Sequence, residues 1–179
     1  MPRIVALCGS AGSGKSTAAE FLVRKHHYAR LSYAAPIKKM ILCLLTEAGV
    51  GPFTAKEMIA GKFKEDPHDA LAGHSPRYAM QTLGTEWGRE LMAQDFWRRI
   101  LLRKAKQLMD SGIDVVVDDL RFPDEAEALK ALGALIVRIE RPVEAVESHA
   151  SEQQDFPVDV VIDNTGSIGE LEKNVWGIA

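Results

Sequence analysis

The stretch Gly9-Ser10-Ala11-Gly12-Ser13-Gly14-Lys15-Ser16-Thr17 follows directly on the apolar run Ile4-Val5-Ala6-Leu7-Cys8, and a stretch of helical period follows it in turn. The pattern G-x-x-x-x-G-K-S between a strand and a helix is that of a phosphate-binding loop. Its glycines let the backbone take conformations closed to other residues and aim several N–H groups at phosphate oxygens, and the helix N-terminus adds partial positive charge. Gly9, Ala11, Gly12, Ser13, Gly14, Lys15, Ser16 and Thr17 are therefore candidate nucleotide contacts. Lys15 would neutralise the β and γ phosphates, and the Ser16 hydroxyl is a candidate Mg2+ ligand. GTPases, transporter ATPases and small-molecule kinases share such a loop, so the rest of the chain must say whether a phosphoryl group is transferred.

Composition narrows the partners. The chain has 179 residues, 46% hydrophobic and 26% charged, with a net charge of −3. No global basic field argues for nucleic acid, and a small molecule is the expected partner. Cys8 and Cys43 have neither metal-ligand nor disulfide-framework spacing and read as small core residues of a protein in a reducing cytoplasm. The five-residue apolar run near the N-terminus is too short for a signal peptide, and no segment approaches the length of a membrane span, so neither export nor membrane insertion is expected.

Strand-like runs alternate with helical ones, the signature of βαβ units and a mostly parallel sheet. The expected strands are residues 3–8, 28–33, 113–117, 134–139 and 158–162. The expected helices are residues 15–25, 36–48, 77–93, 96–111, 123–132, 143–152 and 168–175. A single domain over residues 1–179 is expected, interrupted by a Gly-, Pro- and charge-rich segment at 49–75 with one short helix at 54–60. That segment reads as a mobile insertion covering substrate.

Ligands of open parallel sheets sit beyond the carboxyl ends of the strands, so those ends are where an acceptor would bind. After the third strand come Asp118, Asp119 and Arg121. Either carboxylate is a candidate to face Mg2+ across from Ser16, and Arg121 can hold a phosphate with two parallel hydrogen bonds or form a salt bridge to Glu125. Asp124 and Glu125 suit a helix N-terminus instead. After the second strand, Pro36 opens a helix with Lys38 one turn in, a cation for an anionic ligand or for solvent. Further on, Arg77, Gln81, Gly84 and Trp87 fall on one face at α-helical spacing, combining a cation, an amide able to read a base edge and a ring. Core packing is the alternative for Trp87, and Asp95 and Trp97 read as structural.

These stretches, in this order, resemble the phage-type deoxynucleoside monophosphate kinases of the P-loop nucleoside monophosphate kinase group. The resemblance rests on GSAGSGKST at 9–17, YAAPIKK at 33–39, RYAMQTLGTEWGRE at 77–90 with DFW after it, DDLRFPDEAEAL at 118–129, HASE at 149–152 and VDVVIDNTGS at 158–167. RxxxQxxGTxxxR together with DxRFxxE is its most specific part. It implies a three-layer αβα P-loop kinase fold with a five-stranded parallel sheet, and transfer from ATP-Mg2+ to a deoxynucleoside 5′-monophosphate. It also implies that Gly9 to Thr17 bind ATP, that Tyr33, Lys38, Arg77, Gln81, Trp87, Arg89 and Arg121 serve the acceptor, and that Asp118 or Asp119 supports the metal. Tyr33 or Trp87 would bear on the sugar 2′ position. A lid over about 138–157 would bring Arg138 and Arg141, with His149, to the phosphates, and Asn164 would lie near the adenine. Lys15, Arg121 and Arg141 are the cations assigned to catalysis. The chain departs from related kinases in having no arginine after Arg141, which leaves the lid short of cations. A homodimer follows from family analogy alone.

A phosphate acceptor has a second pKa near ~6, so its attacking oxygen is an anion at neutral pH and no general base is needed. Positioning and charge neutralisation are then the whole task, in keeping with lysines and arginines at strand ends and no catalytic triad. Two other functions share some of these features. VIDNTGS also occurs in dephospho-coenzyme A kinases. A nucleotide-hydrolysing switch shares the loop, but the guanine-reading NKxD is absent.

Overall fold

The computed structural model describes residues 3–142 and 156–178. The chain divides into two compact units: Met1–Ser32 with Ile100–Ala179, and Tyr33–Arg99.

The first unit is a three-layer α/β stack. β1 (Ile4–Cys8) runs up the middle of a five-stranded sheet, with β2 (Ala29–Leu31), β3 (Val115–Val117), β4 (Leu135–Glu140) and β5 (Val160–Asp163) in the order β2-β3-β1-β4-β5. Every pairing is parallel, with Val5 opposite Val116 and Leu135, and Cys8 opposite Arg138. Each residue of β1 and β3 is buried, as a parallel sheet covered on both faces requires. On one face Val5, Leu7, Val116, Val137 and Ile139 pack with Ala18, Ala19 and Leu22 of α1 (Lys15–His26) and with Leu171 and Val175 of α7 (Ile168–Trp176). The alternate residues bury Ile4, Ala6 and Ile136 on the side of α6 (Pro123–Ala131), whose Leu129 has no exposed surface. The five-stranded parallel sheet expected from the sequence is therefore present. β2 is shorter than the expected 28–33, because the chain leaves the sheet at Ser32, whose hydroxyl donates to Asp119.

The second unit is helical. α2 (Ala35–Glu47), α3 (Pro52–Ala60), a 3-10 turn at Asp69–Leu71 and α4 (Pro76–Thr82) surround Ile41, Leu45, Ala55, Met58 and Ile59, with Leu71, Met80 and Leu83 against them. The segment 49–75 thus supplies buried residues as well as loops. Ser75 caps α4 by accepting from the Tyr78 N–H, and Pro76 takes the first helical position, where a missing N–H costs nothing.

The expected α-helix over 77–93 is not one. α4 ends at Thr82 and the chain continues as a π-helix over Leu83–Met92. Glycines at 84 and 88 inside it make the wider winding accessible. α5 (Phe96–Asp110) follows, and the boundary between the units falls within it. The helix expected over 143–152 lies outside the described residues. Among those described, no helix is long and apolar enough to cross a membrane.

Candidate functional site

The loop between β1 and α1 has the geometry of an anion cradle. Gly9 and Gly14 sit at φ 133° and 106°, a region that side chains rarely enter. Space forbids them too: a Cβ on Gly9 would lie 2.2 Å from the Ile139 carbonyl oxygen, and one on Gly14 would lie 2.5 Å from Asn164 Nδ2. Gly14 leads straight into α1, whose first turn holds Lys15, Ser16 and Thr17 and no acidic residue, so the positive end of the helix dipole is not neutralised there. Lys15 Nζ donates to the carbonyls of Gly9 and Ser10 at 2.7 and 2.6 Å, which holds the ammonium over the loop. Ala11, Gly12, Ser16 and Thr17 are exposed. Ser13 is fully buried, with no hydrogen-bond partner for its hydroxyl among the described residues. The donor set suits a nucleotide's phosphates, and the Ser16 hydroxyl suits a divalent cation bound to them.

Two neighbouring strand ends complete this side of the site. Asn164, just past β5, is buried; its side-chain amide donates to the Ser13 carbonyl at 2.8 Å and its backbone N–H to the Glu140 carbonyl at 2.7 Å. It holds the loop's backbone by direct contact. A cleft of ≈ 540 Å³ is lined by Gly9, Ser10, Arg138, Arg141, Asp163 and Thr165, among others. Arg138 Nη2 donates to the Phe156 carbonyl at 3.3 Å, and Arg141 is exposed. Burial pushes the Cys8 thiol up, against the opposing pull of Arg138 and Lys15. His149 lies outside the described residues.

At the end of β3 the paired carboxylates part company. Asp118 is buried and forms an ion pair with both Nε and Nη2 of Arg30, the former at 2.9 Å. Asp119 is half-buried and accepts from Ser32 Oγ at 2.8 Å. Glu125 accepts from the backbone N–H groups of Arg121 and Phe122 at 3.1 and 3.2 Å. It closes the N-terminus of α6 by reaching back, and the Arg121 side chain is exposed.

The remaining candidates belong to the second unit. Tyr33 is buried and Lys38 half-buried. Arg77 and Gln81 are exposed on α4, and Arg77 pairs with Glu65. Trp87 and Arg89 are half-buried in the π-helix. Trp87 meets Phe96 edge-on at 5.4 Å and Trp97 at 6.0 Å, so its ring belongs to an aromatic cluster. The wider winding separates Trp87 from the face that α-helical spacing assigns it with Arg77 and Gln81.

Sequence reasoning passed over Arg30, Ser32, Asp163 and Thr165. Arg30 and Ser32 stand two apart at the end of β2, the spacing that puts both on one side of a strand. Alternation beside the acidic pair was a usable signal. Nothing local marks Asp163 and Thr165, which line the cleft because β5 lies beside β4.

Comparison with known proteins agrees with this architecture. A sequence-family model described as deoxynucleotide monophosphate kinase matches residues 61–175. The chain is 29% identical over 192 residues to a protein of Acanthamoeba polyphaga mimivirus described as a putative deoxynucleotide monophosphate kinase, covering 96% of this chain and 93% of that one. It is 30% identical over 101 residues to the deoxynucleotide monophosphate kinase of Enterobacteria phage T4, covering 54% of this chain and 42% of that one. Among solved structures, an unliganded sugar kinase from Janibacter sp. HTCC2649 and a dephospho-CoA kinase from Campylobacter jejuni each align with a TM-score of 0.53. They are 15% and 16% identical, cover 99% of this chain, and span 94% and 96% of their own lengths. At such identities the likeness is one of fold.

Proposed function

Because the chain belongs to the deoxynucleotide monophosphate kinase family, we propose that it transfers the γ-phosphoryl group of ATP to a deoxynucleoside 5′-monophosphate, giving the diphosphate. The observation that carries the donor half is the loop between β1 and α1, with Lys15 held above it at the start of a helix. In this reading Gly9 to Thr17 hold the ATP phosphates, with Arg138, and Asn164 fixes the loop against which they rest. Ser16 and Asp119 would hold Mg2+. When bound, the ion draws negative charge off the phosphate oxygens. Asp119 is the better candidate of the pair because it is half-buried, whereas Asp118 is buried against the Arg30 guanidinium.

Lys38, Arg77, Gln81, Arg89 and Arg121 are assigned to the acceptor, with Tyr33 bearing on its sugar, while the Trp87 ring packs with Phe96 and Trp97. Lys15, Arg121 and Arg141 would take up charge on the equatorial oxygens as the bond to the acceptor forms. The acceptor's phosphate is already an anion at neutral pH and attacks without a base. Excluding water matters as much, because water is the competing acceptor.

Release of ADP from ATP, measured with each deoxynucleoside monophosphate in turn, tests the reading. Stimulation by one or more of them is expected. Turnover stimulated by dephospho-coenzyme A alone, or nucleoside triphosphate hydrolysis indifferent to any monophosphate, would overturn it.

A further inference from the structure

A π-helix of ten residues calls for a cause, since i→i+5 winding occurs mostly as single-turn bulges and often at functional sites. In Leu83–Met92 it persists to the end, where the Ala93 N–H reaches the Gly88 carbonyl five residues back at 3.1 Å. Trp97 is packed into the winding. Its indole N–H donates to the Gly84 carbonyl at 2.8 Å, giving that oxygen a donor from outside the helix. Its ring lies against Gly88, where a Cβ would stand 2.3 Å from Nε1 and 2.6 Å from Cε2. Trp97 is 5% exposed, Gly88 is buried, and Phe96 and Trp87 close the cluster around the indole.

The winding changes which residues share a face. Arg77, Gln81, Thr85 and Arg89 stand four apart. At 3.6 residues per turn the twelve residues from Arg77 to Arg89 make three and a third turns, leaving the two arginines about 120° apart. An i→i+5 ladder turns roughly 85° per residue instead of 100°, so from Thr82 onward the row drifts back and Arg89 returns to within about 30° of Gln81. Arg77, Gln81 and Thr85 are exposed and Arg89 is half-buried, while Met80 and Leu83 pack into the core and Gly88 beneath the indole.

We propose that the π winding of Leu83–Met92 brings Arg89 into one row with Arg77 and Gln81, that Gly88 and Trp97 hold this winding as positioning residues, and that Thr85 joins the row as an acceptor-binding residue. The proposal rests on the reading that this row meets the monophosphate. Its physical logic is that a phosphate, sugar and base form a line several ångströms long. A straight row of cation, amide, hydroxyl and cation along one helix face can match that line, whereas a row that curls a third of the way round the helix cannot.

The test uses full-length protein and separate KM values for ATP and for the best deoxynucleoside monophosphate. Gly88→Ala drives a methyl into the indole, and Trp97→Phe keeps an aromatic ring while removing the donor to Gly84. Gly88→Ala is expected to raise the monophosphate KM about tenfold and Trp97→Phe several-fold, with the ATP KM within about twofold of the parent. In an Arg89→Ala background Gly88→Ala should add less than about twofold, because both changes remove the same contact. Thr85→Val should raise the monophosphate KM alone, and an unchanged value removes Thr85 from the row. If Gly88→Ala fails to fold, Trp97→Phe decides. If Arg89→Ala raises the monophosphate KM while folded Gly88→Ala and Trp97→Phe do not, the positioning role is wrong and the acceptor reading stands. If Arg77→Ala, Gln81→Ala and Arg89→Ala all leave that KM unchanged, the acceptor reading fails and takes the proposal with it.

Discussion

Asn164 Nδ2 donates to the Ser13 carbonyl at 2.8 Å, bonding the end of β5 to the phosphate loop across 151 positions of sequence. Asn164→Ala leaves a buried carbonyl without that donor, at a cost of about 1–3 kcal/mol, and frees the loop to rearrange. A lower urea midpoint and a raised KM for ATP are expected. Asn164→Asp should be worse for ATP than Ala, since it sets a carboxylate against a carbonyl and beside the phosphates. Equal ATP KM values in parent and Asp variant would show that this bond does not set the loop.

Lys15→Ala should reduce turnover by about a hundredfold or more, the usual effect of removing a charge that stabilises a transition state. The fold should persist, because the side chain is half-buried and its bonds to the Gly9 and Ser10 carbonyls lie within the loop itself. Steady-state ADP release and a urea melt separate the two effects, and a loss of activity matched by unfolding would remove the catalytic assignment.

Arg121 serves α6 through its backbone N–H, which any residue provides, so Arg121→Ala leaves the Glu125 cap intact. The side chain is then free to be tested for function alone. A raised KM for the monophosphate with an unaltered KM for ATP is expected. Arg121→Lys should restore it only in part, because an ammonium cannot make two parallel bonds to a phosphate.

Asp118 and Asp119 should fail in different ways. Asp118→Asn removes the partner of Arg30 from a buried position and should act mainly on stability. Asp119→Asn should shift the Mg2+ concentration needed for half-maximal activity. A metal titration in which Asp118→Asn shifts and Asp119→Asn does not would reverse the assignment.

Acid stability has a definable contribution from Asp159. Burial acts to raise its pKa, but the Lys130 ammonium and the Ile136 N–H, at 2.7 Å, outweigh it and hold the carboxyl below its ordinary value. A carboxyl with a lower pKa folded than unfolded binds more protons when unfolded, so its stabilisation is present above about pH 4 and is lost as pH falls through the folded value. Urea midpoints measured from pH 6 down to pH 2 should therefore fall less steeply in Asp159→Asn than in the parent. Parallel curves would show that Asp159 contributes nothing to the acid limb.

What the sequence alone determined was local. The loop and its flanking strand and helix were legible because glycine conformation, helix polarity and apolar alternation act within a dozen residues, and the five-stranded parallel sheet followed from the same alternation. The tertiary structure decided what distant residues do to one another. Asp118 differs from Asp119 because Arg30, 88 positions away, reaches one of them, and Asn164 bonds to the loop because β5, paired with β4, ends beside it. The helix after Ser75 was legible as a helix but not in its winding. Its periodicity is read at 3.6 residues per turn unless something holds it wider, and the indole that packs on Gly88 comes from the next helix, beyond the reach of any periodicity.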